Sequence, residues 1–403
     1  MKVAIIGKGT SAIITALRLI KDDHDVEFFY DPDTQPLSVG ESTTPHIGSL
    51  IFETLDISIG DLADNGIISY KNGIKYIGWG SGGSFRHHFH GGECAFHFES
   101  GILNPFIHNH LEKELGIKYH AERVDDYEID GEQVHVNNKE YDFVVNCAGW
   151  DDDSEYYKPV FETVNAAILY TSETIDDPTY TLHRATPDGW EFGLPFPDRN
   201  LTKHGYLYNR NLSDPDIPGK KISWTPRFSK KLIQNRFEAY NGNRLFFMEP
   251  LEALSLMYYT EFAKSISDFL KTKRDVKDYN EANQDYLKSI TSYSKSVAWY
   301  YSYGSKYDTP FWNNIQKRSN IYLNTQCFSN RYDSMQELFY ASYNKRDEDL
   351  LSIGCFSYHD YKDVACGMLQ RPVQKVLEDV FDYPLDALDI DDDIVDTKDD
   401  DDV

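Results

Sequence analysis

A six-residue turn near the amino terminus, Gly7-Lys8-Gly9-Thr10-Ser11-Ala12, constrains this 403-residue chain more than any other stretch. Val3-Ala4-Ile5-Ile6 before it is a short apolar run of β type. After it, Ala12, Ile13, Ala16, Leu17 and Ile20 recur at helical spacing, and Val26 to Tyr30 is a second β-type run. Strand, tight turn, helix, strand is the opening of an α/β sheet of Rossmann type. Gly7 permits the turn, Gly9 lets backbone approach a pyrophosphate, and Ala12 allows the helix to pack closely on the strand. Thr10 and Ser11 open the helix, whose N-terminal N–H groups and partial positive charge attract phosphate. Asp31, just beyond the second run, is an acid placed to accept hydrogen bonds from a ribose hydroxyl. The pattern predicts a bound dinucleotide.

Composition narrows the partners. A formal net charge of −26 argues against nucleic acid, because a protein that neutralises phosphates needs clustered Lys and Arg. No run approaches the ~18 apolar residues of a membrane span, and a strand begins at once where a leader peptide would lie, so a cytoplasmic protein is expected. Cys94, Cys147, Cys327, Cys355 and Cys366 are odd in number and scattered, which fits reduced thiols and no zinc site. The run His87-His88-Phe89-His90 lacks carboxylate or thiolate ligands at useful spacing; it reads as partly buried histidines near a cofactor, with no metal.

Further along, Val39-Gly40-Glu41-Ser42-Thr43-Thr44-Pro45 is a loop rich in glycine and hydroxyls. Ile67 to Trp79 alternates around Lys71, which places that lysine on or beside a strand. Phe106 to Leu115 reads as a helix, and Val134 to Val136 and Phe143 to Val145 as strands. Ala166 to Trp224 holds short β-type runs between polar loops. Helical spacing returns from Leu251 to about Leu270 and dominates Tyr279 to Phe381, while Asp389 to Asp402 is mostly Asp and predicts a solvated tail.

Several of these stretches, in this order, resemble flavin-dependent halogenases of the tryptophan halogenase type: the opening turn, Gly40-Glu41-Ser42-Thr43-Thr44-Pro45, Ser69-Tyr70-Lys71-Asn72-Gly73-Ile74, Ala95-Phe96-His97-Phe98-Glu99 and Glu249-Pro250-Leu251-Glu252. Asp308-Thr309-Pro310-Phe311-Trp312 also looks like that family's C-terminal region. The resemblance implies an FAD-binding domain related to flavin monooxygenases, with Gly40, Glu41 and Ser42 joining Gly7, Gly9, Thr10, Ser11, Ala12 and Asp31 at the cofactor. It implies residues 1–165 as the first part of that domain, 166–240 as a β-sheet layer on the substrate side, and 241–275 as a returning segment. A helical region over 276–382 and an acidic tail over 383–403 complete the expected order.

The activity implied is oxidation of halide by reduced FAD and O2 to hypohalous acid, which reaches a lysine and halogenates an electron-rich aromatic such as an indole or phenol. Lys71 stands at the position of that lysine, where an ammonium polarises the oxidant. Glu252 stands where a glutamate faces it, to orient the oxidant or accept the ring proton. Trp190 matches the first aromatic of the family's W-x-W-x-I-P motif, which separates flavin from substrate; Phe192 and Leu194 depart from its third and fifth places. Where the family has Ser-Thr-Gly or Ser-Thr-Ser beside the halide, this chain has Ala253-Leu254-Ser255, so Leu254 and Ser255 are the halide positions. Loss of the Thr hydroxyl predicts bromide or iodide over chloride. A single dinucleotide fingerprint implies a separate flavin reductase as partner, and a homo-oligomer is compatible with all of this. Two competing functions share the pattern: a flavin monooxygenase, and a flavoprotein-derived binding module without catalysis.

Overall fold

The computed structural model describes residues 1–34, 40–89, 94–150, 157–159, 161–325 and 358–371. The predicted tail, and the parts of the predicted helical region over 326–357 and 372–382, lie outside them.

The opening β-run becomes the strand Lys2–Ile6, inside a six-stranded sheet. Its order is Ile233–Asn235, Glu238–Tyr240, Phe143–Asn146, Lys2–Ile6, Asp25–Phe29 and Lys118–His120, parallel except at the first pair. Strands of a parallel sheet covered on both faces read as continuous apolar runs, as Val3 to Ile6 does. The helix Thr10–Lys21 packs between this sheet and two further helices, Pro45–Leu55 and Leu254–Leu270, which is why residues 12–17 are all buried. The α/β fold class predicted from the opening pattern is the one observed.

A second, seven-stranded sheet runs Lys220–Ser223, Ala166–Ser172, Leu201–Tyr208, Gly189–Phe196, Tyr180–Thr186, Gly73–Ile77 and Ser84–His88. Its last two strands come from the stretch expected to belong to the first part of the cofactor domain: Gly73–Ile77 lies parallel to Tyr180–Thr186. Conversely Ile233–Asn235 and Glu238–Tyr240, expected in the β-layer, pair into the six-stranded sheet. Both exchanges tie the two sheets into one body by long-range strand pairing.

A small antiparallel sheet joins them, in the order Gly40–Ser42, Ala95–Glu99, Ile68–Lys71. Residues 40–42, a loop by composition, are held as a strand by the neighbouring Ala95–Glu99. The helix read at Phe106 to Leu115 begins earlier, at Ser100, because that same strand runs straight into it. Helices Leu254–Leu270, Val276–Ser302, Pro310–Thr325 and Tyr358–Leu369 follow the sheets. Among the described residues no helix is long and apolar enough to cross a membrane.

Candidate active site

The end of the site expected to take the nucleotide is built by the first turn. Gly7 has φ +115°, and a side chain there would strike the Cys147 carbonyl at 2.8 Å, so only glycine closes this turn. Gly9 differs. It is extended (φ −86°, ψ −178°), and a Cβ on it would meet none of the described residues within 4 Å. Open space lies there directly over the start of a twelve-residue helix that no side chain caps and whose first turn carries no acid. A pyrophosphate fits such a cradle. Gly242 closes on Ser11, where a Cβ would come within 2.1 Å of the hydroxyl oxygen.

The hydroxyl of Thr10 lies 3.2 Å from Glu41 Oε1 and 3.4 Å from Asn104 Oδ1. Desolvation pushes the Glu41 carboxyl up to about 7, against hydrogen bonds from Thr10 and Ser100. Ser42 lies 3.3 Å, hydroxyl to hydroxyl, from Thr181 of the large sheet. Asp31 follows the second strand. Its carboxylate accepts from the Asp33 N–H (2.9 Å) and the Thr34 hydroxyl (3.0 Å), bonds that hold it below its ordinary range and turn it into its own loop.

The opposite end centres on Lys71, the last residue of the strand Ile68–Lys71 and fully buried. Its ammonium donates to the Thr43 carbonyl at 2.9 Å and stands 5.1 Å from the centre of the Phe89 ring. Gly73, two residues on, explains the spacing in Lys71-Asn72-Gly73: a side chain there would strike the His87 carbonyl at 2.1 Å. The glycine lets the strand that carries His87 lie directly against the one that follows Lys71.

Glu252 is buried in a strained turn. It and Ala253 have φ of +60° and +57°, a left-handed pair that costs on the order of 1–2 kcal/mol per residue. The turn delivers the carboxylate among Tyr76, whose hydroxyl donates to Oε1, Tyr300, which donates at 2.9 Å, and His87, whose Nδ1 is 3.2 Å from each oxygen. Burial pushes this carboxyl up, but the His87 charge and the hydrogen bonds outweigh it and hold Glu252 at about 2. His87 responds in the opposite sense: burial lowers it, while Glu252 and Asp360 raise it to about 10.

His183 sits within reach of both functional groups. Burial drives it down to about 3, with Glu252 raising and Lys71 and His87 lowering its basicity, so its ring is neutral. Trp190 covers it, ring centres 4.6 Å apart, and is itself fully buried, with Nε1 donating to the Tyr301 hydroxyl at 2.8 Å. Phe192 packs 6.4 Å from Trp190. Beyond the Glu252 turn, Leu254 begins a 17-residue helix without a side-chain cap, and Leu254 is buried. The Ser255 hydroxyl lies 3.4 Å from that of Tyr293; because Tyr293 donates its own proton to the Glu249 carbonyl, Ser255 is the donor between them.

Sequence reasoning missed Tyr76, His183, Tyr300 and Asp360; they lie in runs readable as strand or helix, and nothing local sets these residues apart within them. His87 was legible only as one of a run of histidines. Its burial follows from alternation: along Ser84–His88, His87 faces inward and His88 outward.

The description "Tryptophan halogenase" belongs to the family model that matches this chain over residues 2–94 and 90–373. Tryptophan 7-halogenase RebH of Lentzea aerocolonigenes is 32% identical over 108 residues, which span 25% of this chain and 20% of that relative's length. Among solved structures, a tryptophan halogenase from Shewanella frigidimarina NCIMB 400 superposes with a TM-score of 0.75 at 16% identity, covering 94% of this chain and 93% of the other. BrvH, a flavin-dependent halogenase from Brevundimonas sp. BAL3, gives 0.72 at 16% identity over 95% and 97%. With nearly its whole length matched by the family model, this chain belongs to the tryptophan halogenase family.

Proposed function

We propose that the chain halogenates an electron-rich aromatic substrate of indole or phenol type, using reduced FAD, O2 and a halide ion, with Lys71 and Glu252 as its catalytic residues. The observation that carries this reading is Lys71 itself, a fully buried ammonium whose partners include a backbone carbonyl and an aromatic face. A lysine that far from water has no use as a solvated surface charge. When bound, reduced FAD supplies with O2 the oxidising equivalent that turns halide into hypohalous acid. The open cradle at Gly9, the uncapped helix and Thr10, Ser11 and Glu41 are the residues that would hold it; a separate flavin reductase would deliver it reduced.

At the other end, Lys71 polarises the oxygen of hypohalous acid as halogen leaves it. Glu252, ionised by its three donors, orients the oxidant and stabilises the positive charge that develops on the ring; the ring then loses its proton, which combines with the hydroxide left by the halogen to give water. Trp190 and Phe192 hold substrate and cofactor apart. Halide lies at the start of the helix Leu254–Leu270, where backbone N–H groups attract anions. Leu254 offers it no hydroxyl and Ser255 donates to Tyr293, so the site favours the weakly hydrated bromide and iodide over chloride.

The test is product mass with and without bromide, in the presence of reduced FAD, for wild type and two variants. Lys71→Ala should bind FAD normally and lose halogenation by about 10²-fold or more. Gly9→Val should fold, because neither φ nor space forbids a side chain at that position, and should bind FAD far more weakly. An oxygenated product, formed equally without halide, would favour the monooxygenase reading.

A further inference from the structure

We propose that Asp360, on the helix Tyr358–Leu369, is a positioning residue that acts through His87 to hold the Glu252 carboxylate in place for halogen transfer. The part played by Glu252 in this inference rests on the halogenase reading above. The three groups form a buried row. His87 Nδ1 is 3.2 Å from both oxygens of Glu252, and Nε2 is 3.1 Å from Asp360 Oδ1.

A neutral imidazole has one donor and one acceptor nitrogen, so with carboxylates on both sides a neutral ring would turn a lone pair against an anion. Only the imidazolium satisfies both neighbours. With Asp360 in place, His87 keeps a full charge and two donors, and its ring is pinned at both ends. Glu252 is thereby fixed from the side by a cation, while Tyr76 and Tyr300 fix Oε1 from above. Among the described residues, the titratable groups around His87 and Glu252 include these two tyrosines, Asp360 and the neutral His183, with Lys71 acting on His183 in turn.

The helix that brings Asp360 is seated closely. The Ser81 N–H donates to the Met368 carbonyl at 2.8 Å, and a Cβ at Gly80 would strike that same carbonyl oxygen at 2.1 Å. Gly367 lies against the Phe85 ring, where a Cβ would come within 2.2 Å. Phe85 is two residues before His87 on the same strand, so the contacts that dock the helix also set the reach of Asp360. Side-chain exposure rises along the row from 2% at Glu252 and His87 to 15% at Asp360, which makes Asp360 the member nearest solvent and outside the reaction itself.

The experiment compares wild type, Asp360→Asn and Asp360→Glu by steady-state bromination and by ¹⁵N NMR of histidine-labelled protein, with His87→Gln used to identify the His87 signal. Asp360→Asn should lower kcat about tenfold with KM for the aromatic substrate within twofold. It should also move the pH at which His87 loses its proton down by at least one unit, and Asp360→Glu should restore both. A His87 titration unmoved in Asp360→Asn, or kcat equal to wild type, would overturn the proposal. Should Asp360→Asn fail to fold, Asp360→Ser, which also removes the carboxylate at this partly exposed position, is read in the same way: a His87 titration lowered by at least one unit supports the row, and one unmoved refutes it. A wild type that fails to halogenate would refute the function proposed above, yet the NMR titration would still decide whether Asp360 holds His87.

Discussion

Glu249 and Glu252 lie three residues apart in one segment, 1% and 3% exposed, and yet they are opposite acids. Burial pushes both carboxyls up. At Glu249 the partners are the hydroxyls of Thr163 and Tyr301 and the Val164 N–H, all uncharged, and the carboxyl stays raised at about 7. At Glu252 the partners include the His87 cation, and the carboxyl falls to about 2. The cost of burial is common to the two; the nearest cation decides the outcome. Divergent acids of this kind fit a division of labour: Glu252 is held as an anion at the proposed reaction centre, whereas Glu249 anchors Tyr301 and, through it, Trp190.

The comparison breaks most severely if the anion is removed. Glu252→Gln should cut halogenation about 10²–10³-fold while FAD affinity is kept. It also leaves the buried His87 charge with one carboxylate fewer, and should lower unfolding stability by about 3–5 kcal/mol, measured by urea denaturation at pH 7. Equal turnover in this variant would remove Glu252 from the mechanism.

A second experiment sharpens the other half. In the folded protein the Glu249 carboxyl is pushed up to about 7 from its ordinary 4.5. Its contribution to stability is therefore fully present below pH 4.5 and is lost as pH rises through 7, because the unfolded chain ionises first. The loss amounts to about 3 kcal/mol. Glu249→Gln keeps the hydrogen-bond acceptor and cannot ionise. Its stability relative to wild type should rise by about that amount between pH 4.5 and 8, followed by denaturant midpoints across the range. The pH dependence due to Glu252 and His87 is common to both proteins and cancels. A difference that stays constant with pH would mean that Glu249 ionises normally.

The smallest effect lies just past the Glu252 turn. Leu254→Thr adds one neutral hydrogen-bond donor at the helix start, worth about 1 kcal/mol, so chloride should gain about fivefold in competition with bromide and iodide at equal concentration. Chloride dominance in wild type, or an unchanged ratio in the variant, would exclude Leu254 from halide selection.

What could be read from the residues alone follows the range of the interactions involved. The strand-turn-helix at residues 2–21 was legible because its periodicity, its glycines and its helix start are all local. Lys71 stands out in the sequence through the alternation around it and the resemblance of residues 69–74; the glycine two positions on proves to have a steric role, admitting the His87 strand. Asp360 was not legible. It lies 273 residues from His87, in a helix whose own pattern predicts only that it is a helix. The opposed states of Glu249 and Glu252 were equally hidden, since both read as acids at the start of a helical stretch and nothing local reveals which will meet a cation. Strand sharing was missed for the same reason: Gly73–Ile77 finds its parallel partner more than a hundred residues away.

That separation also sets an order of events during synthesis. His87 leaves the ribosome long before the helix that carries Asp360; at roughly 5–20 residues per second, the intervening 273 residues take roughly 14–55 s. Within that interval the strand Phe143–Asn146 and the helix Leu254–Leu270, which pack against the first strand and its helix, are made, but a charged histidine has only part of its final shelter. The residues of the proposed cofactor cradle are thus all made before Asp360 is, and a flavin bound at that stage would stabilise the part of the chain that must wait.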